Sequence, residues 1–203
     1  MTNNNFTINN NFEEYKKAFL EENAKHNLIS KNDEKVLFEK HIFDSLSINL
    51  FFEKYNIEKA NILDIGCGGG FPCLPIAIEH PELNITGIDS IKKKINSIST
   101  IIDKLDLKNI NVIWDRVENI QNQKFDIIVS RAVADMAKIS EYALPLLKNN
   151  GYFIAYKSRK AMEELENAKP VLAKYHAEVI DIIEYTLPLE ELYERNLVCI
   201  KKL

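Results

Sequence analysis

The chain is poor in the residues that build metal centres and disulfide frameworks. Three cysteines, Cys67, Cys73 and Cys199, form an odd set with no Cys-x-x-Cys pair and no histidine cluster nearby. Neither a disulfide scaffold nor a metal site is expected, and a reducing cytoplasm is the expected home. No apolar run approaches the length of a membrane span, and the Asn-rich start lacks the apolar core of a signal peptide. A soluble protein with no membrane partner follows. Positive charge is not in excess: 26 Lys and Arg stand against 30 Asp and Glu, a net charge of -4. That balance argues against a protein that coats nucleic acid through its whole field, while leaving room for a local basic patch. There is no internal repeat and no linker. With 203 residues, 46% of them hydrophobic, a single monomeric domain over 1–203 is expected.

Glycine is scarce too, at six residues, but it clusters where Asn61-Ile62-Leu63-Asp64-Ile65 runs into Gly66-Cys67-Gly68-Gly69-Gly70-Phe71-Pro72. The β-branched run is too short for a helix and reads as a strand, followed by a loop that tolerates positive φ and close approach of a ligand. Such a loop offers free N–H groups at a helix N-terminus. A dinucleotide fingerprint needs glycine at its sixth position, which counted from Gly66 is Phe71, so that reading fails. The spacing Asp-x-Gly-x-Gly-x-Gly, with Asp64, Gly66, Gly68 and Gly70, is that of the S-adenosylmethionine loop in Rossmann-like methyltransferases.

The remaining chain fits that frame. Residues 1–11, with six asparagines, read as a disordered or weakly ordered lead-in, and 12–58 as an N-terminal helical layer. Within the layer a first amphipathic helix runs from Phe12 to about Lys25. A second starts after Asn32 or Asp33 and carries Val36, Leu37, Ile42, Phe43, Leu46 and Leu50 toward the core. The layer serves either substrate contact or simple cover of a sheet edge. Strands are predicted at 61–65, 84–89, 111–114, 125–130, 152–156, 178–187 and 196–202, with helices between most of them. The fold class is therefore α/β: a class I, Rossmann-like methyltransferase with a seven-stranded doubly wound sheet whose last strand is antiparallel.

Ligands of such sheets bind outside the carboxyl ends of the strands. The predicted site gathers Gly66 to Phe71, Asp89, Asp115, Val117 and Glu118, Ser130, Arg131 and Lys157. Asp89 lies where a ribose-binding acid belongs, and it also suits an N-cap for the helix starting at Ser90. The turn from Asp115 to Glu118 faces the adenine. Lys92, Lys93, Lys94, Lys157, Arg159 and Lys160 are candidate RNA contacts, though a lysine run is more often a solvated face. After the fourth strand comes Ser130-Arg131-Ala132-Val133, without the Pro-Pro-aromatic motif of exocyclic-amine methylation and without the cysteine nucleophile of pyrimidine-carbon methylation. A ring nitrogen with a free lone pair, such as guanine N7, needs no base and suits this set. Arg131, the candidate catalytic residue, either reads the guanine edge or pairs with a cofactor carboxylate or a local acid.

These stretches together resemble a known family. The pieces are Asn27-Leu28, His41-Ile42-Phe43-Asp44-Ser45-Leu46, Leu63 to Pro72, Asp89-Ser90, Arg116-Val117-Glu118, Phe125-Asp126, Ser130 to Ala134, and Lys157. They are similar to the bacterial 16S ribosomal RNA guanine-N7 methyltransferases once called glucose-inhibited division protein B. The resemblance implies S-adenosyl-L-methionine as cofactor, contacts at Gly66, Phe71, Val117, Glu118 and Arg131, and a guanine in the 530-loop region of 16S ribosomal RNA, or of the small subunit, as substrate. Three departures stand out: Cys73 where the family has glycine after Phe-Pro, Ser158 in place of glycine after Lys157, and Lys94 where arginine is usual. The alternatives are a methyltransferase for a small molecule or protein, and a non-catalytic cofactor-binding module that associates with the ribosome.

Overall fold

The Ile, Leu and Val runs that follow the glycine-free N-terminal third become strands, and the central ones, at 61–65 and 125–131, are buried on both faces as parallel pairing between helical layers requires. The structure is a computed structural model and describes residues 6–159 and 161–203. Its seven strands are β1 (Asn61–Ile65), β2 (Asn84–Asp89), β3 (Ile110–Trp114), β4 (Phe125–Arg131), β5 (Leu147–Lys157), β6 (Ala177–Leu187) and β7 (Tyr193–Lys202). They form one sheet in the order β3-β2-β1-β4-β5-β7-β6. The first five strands pair in parallel, and β7 runs antiparallel to both β5 and β6. The order reverses between β1 and β4, and a crevice opens at such a switch point.

The N-terminal layer holds α1 (Glu13–His26), α2 (Lys31–Glu34), α3 (Phe43–Leu46) and α4 (Asn49–Tyr55). Beyond it lie α5 (Cys73–Glu79), α6 (Lys92–Lys104), α7 (Met136–Ala143) and α8 (Ala161–Lys174). Side chains alternate across the sheet: Ile62 of β1 joins the core under α1, α4 and α5, while Leu63 joins the core on the opposite face with Met136, Ile139 and Leu165. No helix among the described residues is long and apolar enough to cross a membrane.

Three sequence expectations change. The single second helix is instead a broken series: α2 is capped by Ser30, whose Oγ accepts from Asp33 N at 3.2 Å, and a π-helical turn at Phe38–Ile42 precedes α3. The apolar pattern survived because Leu37, Ile42 and Leu46 still face inward, whereas the i+5 turn rotates what lies between them. The Asn-rich lead-in is not loose where it is described. Asn9 N and Asn10 N donate to the Glu79 carboxylate at 2.6 and 3.1 Å, and the Phe6 ring packs 4.9 Å from Phe43. Buried Glu79 needs those donors, and the tail supplies them; residues 1–5 lie outside the described residues. Finally, β5 begins at Leu147 and absorbs the predicted Asn149-Asn150-Gly151 turn, with an irregular register opposite Phe125 and Ile127.

Candidate functional site

At the carboxyl ends of β1, β2 and β4 lies a cavity of about 520 Å³, within the usual size of small-molecule sites. Its floor is the glycine loop. Gly66, Gly68 and Gly70 sit at φ of 71°, 55° and 93°, where a side chain is strained. Their reasons differ. A Cβ on Gly66 would lie 2.4 Å from Val133 Cγ2, so this glycine lets the segment after β4 close over the loop. A Cβ on Gly70 would lie 2.4 Å from Leu74 Cδ1, a packing constraint turned away from the cavity, and Gly70 does not line it.

Hydrogen bonds hold the loop open toward the ligand space. Gly66 N and Cys67 N donate to Ile88 O at 2.8 and 3.0 Å. Asp89 then bridges two elements: Oδ2 accepts from Gly68 N at 2.9 Å and Oδ1 from Ile91 N at 2.8 Å. It therefore shapes the turn into α6 and also faces the cavity, as the sequence allowed. Asp115, Val117 and Glu118 line the far wall, with Asp115 Oδ1 bound by Asn119 Nδ2 at 2.6 Å.

Asp64, which the spacing groups with the cofactor loop and so with the cofactor-binding residues, does not reach the cavity. It is fully buried beneath α5, outside the cavity lining, with Oδ2 accepting from Cys73 N at 3.1 Å and Oδ1 without a partner. Burial pushes its pKa up to about 7. Position two before the first glycine lies within the strand, where side chains point into the layer rather than off its end. Cys73, the departure from the family glycine, opens α5 at an ordinary φ and packs its thiol fully buried, so the turn tolerates it.

Arg131 ends β4 and lines the cavity. Its guanidinium stacks 5.1 Å from the Phe71 centroid, donates through Nη1 to Asp44 Oδ2 at 2.9 Å, and lies 3.1 Å through Nη2 from His41 Nδ1. A guanidinium only donates, so Nδ1 accepts and the imidazole proton sits on Nε2. Burial first, and the Arg131 charge second, lower the His41 pKa to about 4. Asp44, 2% exposed, is a hub: Tyr185 Oη donates to Oδ1 at 2.6 Å, and Arg195 donates to Oδ1 and Oδ2 at 3.2 and 3.3 Å. Burial opposes its charge, yet Arg131 and Arg195 hold its pKa below the ordinary carboxylate value. The local acid that pairs Arg131 is thus Asp44, on α3.

Sequence reasoning gave no role to His41, Asp44, Tyr185 or Arg195. One signal was present: Asp44 interrupts the inward-facing series Ile42 and Leu46 with a charge, and a buried acid requires partners. Those partners come from β4, β6 and β7, up to 151 positions away, and no local pattern names them.

The basic candidates divide. Lys92 Nζ lies 4.5 Å over the Trp114 ring, Lys93 is exposed, and Lys94 lines the cavity. Lys157 is not an open phosphate contact: its side chain is 11% exposed and its ammonium donates to Ala134 O at 2.7 Å and Glu164 Oε2 at 2.6 Å. Glu164 Oε2 also accepts from Met136 N at 2.9 Å, so this pair fastens the segment after β4. Arg159 is exposed and paired with Glu194 at 3.0 Å. Lys160 lies outside the described residues.

A switch-point crevice with a glycine loop, an acid-ended second strand and the sheet order above is the architecture of S-adenosylmethionine-dependent methyltransferases. TYW2 of M. jannaschii, solved in complex with AdoMet, superposes with a TM-score of 0.59 at 16% identity, covering 72% of this chain and 70% of that one. An S-adenosylmethionine-dependent O-methyltransferase from Thermotoga maritima gives 0.58 at 15% identity, covering 79% and 64%. At these identities the likeness is one of fold. The chain belongs to the family described as rRNA small subunit methyltransferase G, which matches residues 8–196. The ribosomal RNA small subunit methyltransferase G of Oceanobacillus iheyensis is 40% identical over 193 residues, 93% of this chain and 80% of the relative. That of Lachnoclostridium phytofermentans is 40% identical over 197 residues, covering 94% and 80%.

Proposed function

We propose that the protein transfers a methyl group from S-adenosylmethionine to N7 of a guanine in the 530-loop region of 16S ribosomal RNA. Membership of the rRNA methyltransferase family supports the substrate class. The observation that carries the choice of acceptor atom is the segment Ser130-Arg131-Ala132, which brings an arginine into the cavity wall and neither a general base nor a thiol. The residues present fit the cofactor: a glycine loop along one wall of a cavity of about 520 Å³, and an acid at the ribose position. Gly66 and Gly68 would pass its amino-acid portion, Asp89 the ribose hydroxyls, and Asp115, Val117 and Glu118 the adenine, with Phe71 and Arg131 closing the end near the acceptor.

When bound, the cofactor supplies an electrophilic methyl on a sulfonium centre. The guanine N7 lone pair needs no deprotonation, so the protein's work is alignment and exclusion of water. Arg131 would hold the base through its O6 carbonyl, which leaves the N7 lone pair free to attack the methyl carbon. Methylation makes the base cationic, which an unpaired guanidinium would oppose; Asp44 offsets that charge and leaves other N–H groups of Arg131 free to donate. The exposed α6 lysines Lys92 and Lys93, with Lys94 at the cavity, supply phosphate contacts.

The test uses purified protein, labelled S-adenosylmethionine, and small ribosomal subunits or naked 16S rRNA lacking the modification. One methyl at a guanine N7, mapped by mass spectrometry of digested RNA, is the expected result. Transfer to an exocyclic amine or a ring carbon, or no transfer to either substrate, would overturn the assignment.

A further inference from the structure

An aromatic side chain that ends a strand beside a catalytic crevice is normally covered, because its area is valuable to the core. Trp114, the sole tryptophan of the chain, is 54% exposed. It is the last residue of β3 and stands in register with Asp89, on the same sheet edge as the cavity, yet it does not line that cavity. Its ring is not free to swing: Nε1 donates to Ser90 O at 3.1 Å. The Lys92 ammonium covers the ring at 4.5 Å. Beside it Ile91 is 48% exposed, adding a second apolar surface at the start of α6.

Cations gather beside this ring: Lys92, Lys93 and Arg116 are exposed and Lys94 is half-buried at the cavity, with exposed Asp115 and Glu118 in the turn after β3. Among the described residues none of the four cations forms an ion pair, although the chain as a whole carries a net charge of -4. Elsewhere the basic side chains are largely matched: Lys104 with Glu21, Lys148 with Asp126, Lys157 with Glu164 and Arg195 with Asp44. A tethered aromatic face beside several cations that form no ion pair is a construction that suits single-stranded nucleic acid, in which bases stack and phosphates meet lysine and arginine.

We propose that Trp114 is a stacking platform for an unpaired RNA base flanking the methyl acceptor, with Lys92, Lys93 and Arg116 on the neighbouring phosphates. The acceptor itself belongs at Arg131, across the cavity, so the stacked base is a neighbour in the strand. The inference rests on the reading of the site as an RNA methyltransferase and adds to it where the strand runs: past the β2–β3 side of the crevice. It also explains why the ring is tethered, since a pre-oriented platform loses little freedom when a base stacks.

Because the chain has one tryptophan, its fluorescence reports this position alone. Three probes are titrated at low salt: a ten-nucleotide oligouridylate, inorganic polyphosphate, and S-adenosylhomocysteine. Oligouridylate is expected to quench the emission. Polyphosphate, which meets the lysines but has no bases, is expected to bind without comparable quenching. Trp114→Ala should weaken oligouridylate binding about tenfold, the worth of one stacked base, and raise KM for the RNA substrate at unchanged affinity for S-adenosylhomocysteine. Trp114→Phe should keep most of the affinity, which a purely structural role for the indole hydrogen bond would not allow. Binding of oligouridylate without quenching, equal quenching by polyphosphate, or wild-type RNA affinity in Trp114→Ala would each overturn the platform. So would quenching by S-adenosylhomocysteine accompanied by loss of its affinity in Trp114→Ala, which would assign the ring to the cofactor. If the wild-type protein methylates no RNA, the functional reading fails, and the quenching titrations still judge the platform separately.

Discussion

Replacing Asp44 by asparagine removes one charge and almost no volume, and its consequences can be worked out from the hub. Four hydrogen bonds from Arg131, Tyr185 and Arg195 converge on a carboxylate that is 2% exposed. Asparagine keeps one acceptor oxygen, which suffices for Tyr185, but turns an N–H₂ group toward guanidinium donors. Two arginines, whose side chains are 11% and 16% exposed, are then left with no counter-charge. Removing one partner of a buried pair costs about 3–5 kcal/mol; because one oxygen survives, about 3 kcal/mol is expected. With a urea slope of about 2 kcal/mol per molar, the unfolding midpoint falls by about 1.5 M while the slope stays constant. Activity should fall further than stability, since Arg131 loses the contact that holds it against Phe71. Arg131→Met is the control: it leaves Asp44 bound to Arg195 and Tyr185, so it should abolish most transfer at a smaller loss of stability. Both are measured by urea titration and by methyl transfer at a temperature where each variant is folded. An Asp44→Asn protein within about 1 kcal/mol of wild type and fully active would refute the hub as described.

Other outcomes follow from single contacts. Gly70→Ala places a Cβ 2.4 Å from Leu74 Cδ1 at a φ of 93°, and strain plus overpacking should cost about 2–4 kcal/mol in a denaturant melt. Gly69→Ala, whose Cβ meets only ordinary contacts at 3.4 Å or more and needs no positive φ, should be nearly neutral; equal losses at both positions would contradict the geometry. Asp89→Ala should weaken cofactor binding by about 1.5–3 kcal/mol in calorimetry, because the carboxylate is lost both as the proposed ribose contact and as the acceptor for Gly68 N. The pH dependence of stability carries two opposed contributions. His41, lowered to about 4, contributes stability that is present above its unfolded pKa and lost as pH falls toward 4. Asp64, raised to about 7, contributes stability that is present below its unfolded pKa and lost as pH rises toward 7. Between about pH 4.5 and 6.5 they cancel, so relative to wild type His41→Gln should tilt the profile downward with rising pH and Asp64→Asn upward, each by up to about 1.4 kcal/mol per pH unit. Parallel profiles for all three proteins would remove both assignments.

Much of the site was legible because its parts are local. The glycine spacing after a short strand, Asp89 at the end of the next strand, and the turn from Asp115 to Glu118 are each set by a few adjacent residues, and each reaches the cavity. Strand positions were recoverable for the same reason: short runs such as Ile127 to Val129 are apolar on both faces and suit a central parallel strand. Helix breaks in the N-terminal layer were not recoverable, since an apolar pattern at helical spacing tolerates a π-helical turn that leaves Leu37, Ile42 and Leu46 inward.

Charge was the least legible property. Lys157 and Lys92 look alike in sequence, yet one is spent on Ala134 O and Glu164 and the other stands over an exposed ring. A lysine's role depends on which carboxylates and carbonyls lie within about 3 Å, and those arrive from other elements. By itself the chain of residues determined the fold class, the glycine loop at the cavity and the absence of a base after β4, all of which follow from spacing along the backbone. Only the tertiary structure decided that Asp64 is sealed beneath α5, that Asp44 holds Arg131, and that Trp114 stays uncovered, because burial and ionic pairing are made between strands and helices far apart in sequence.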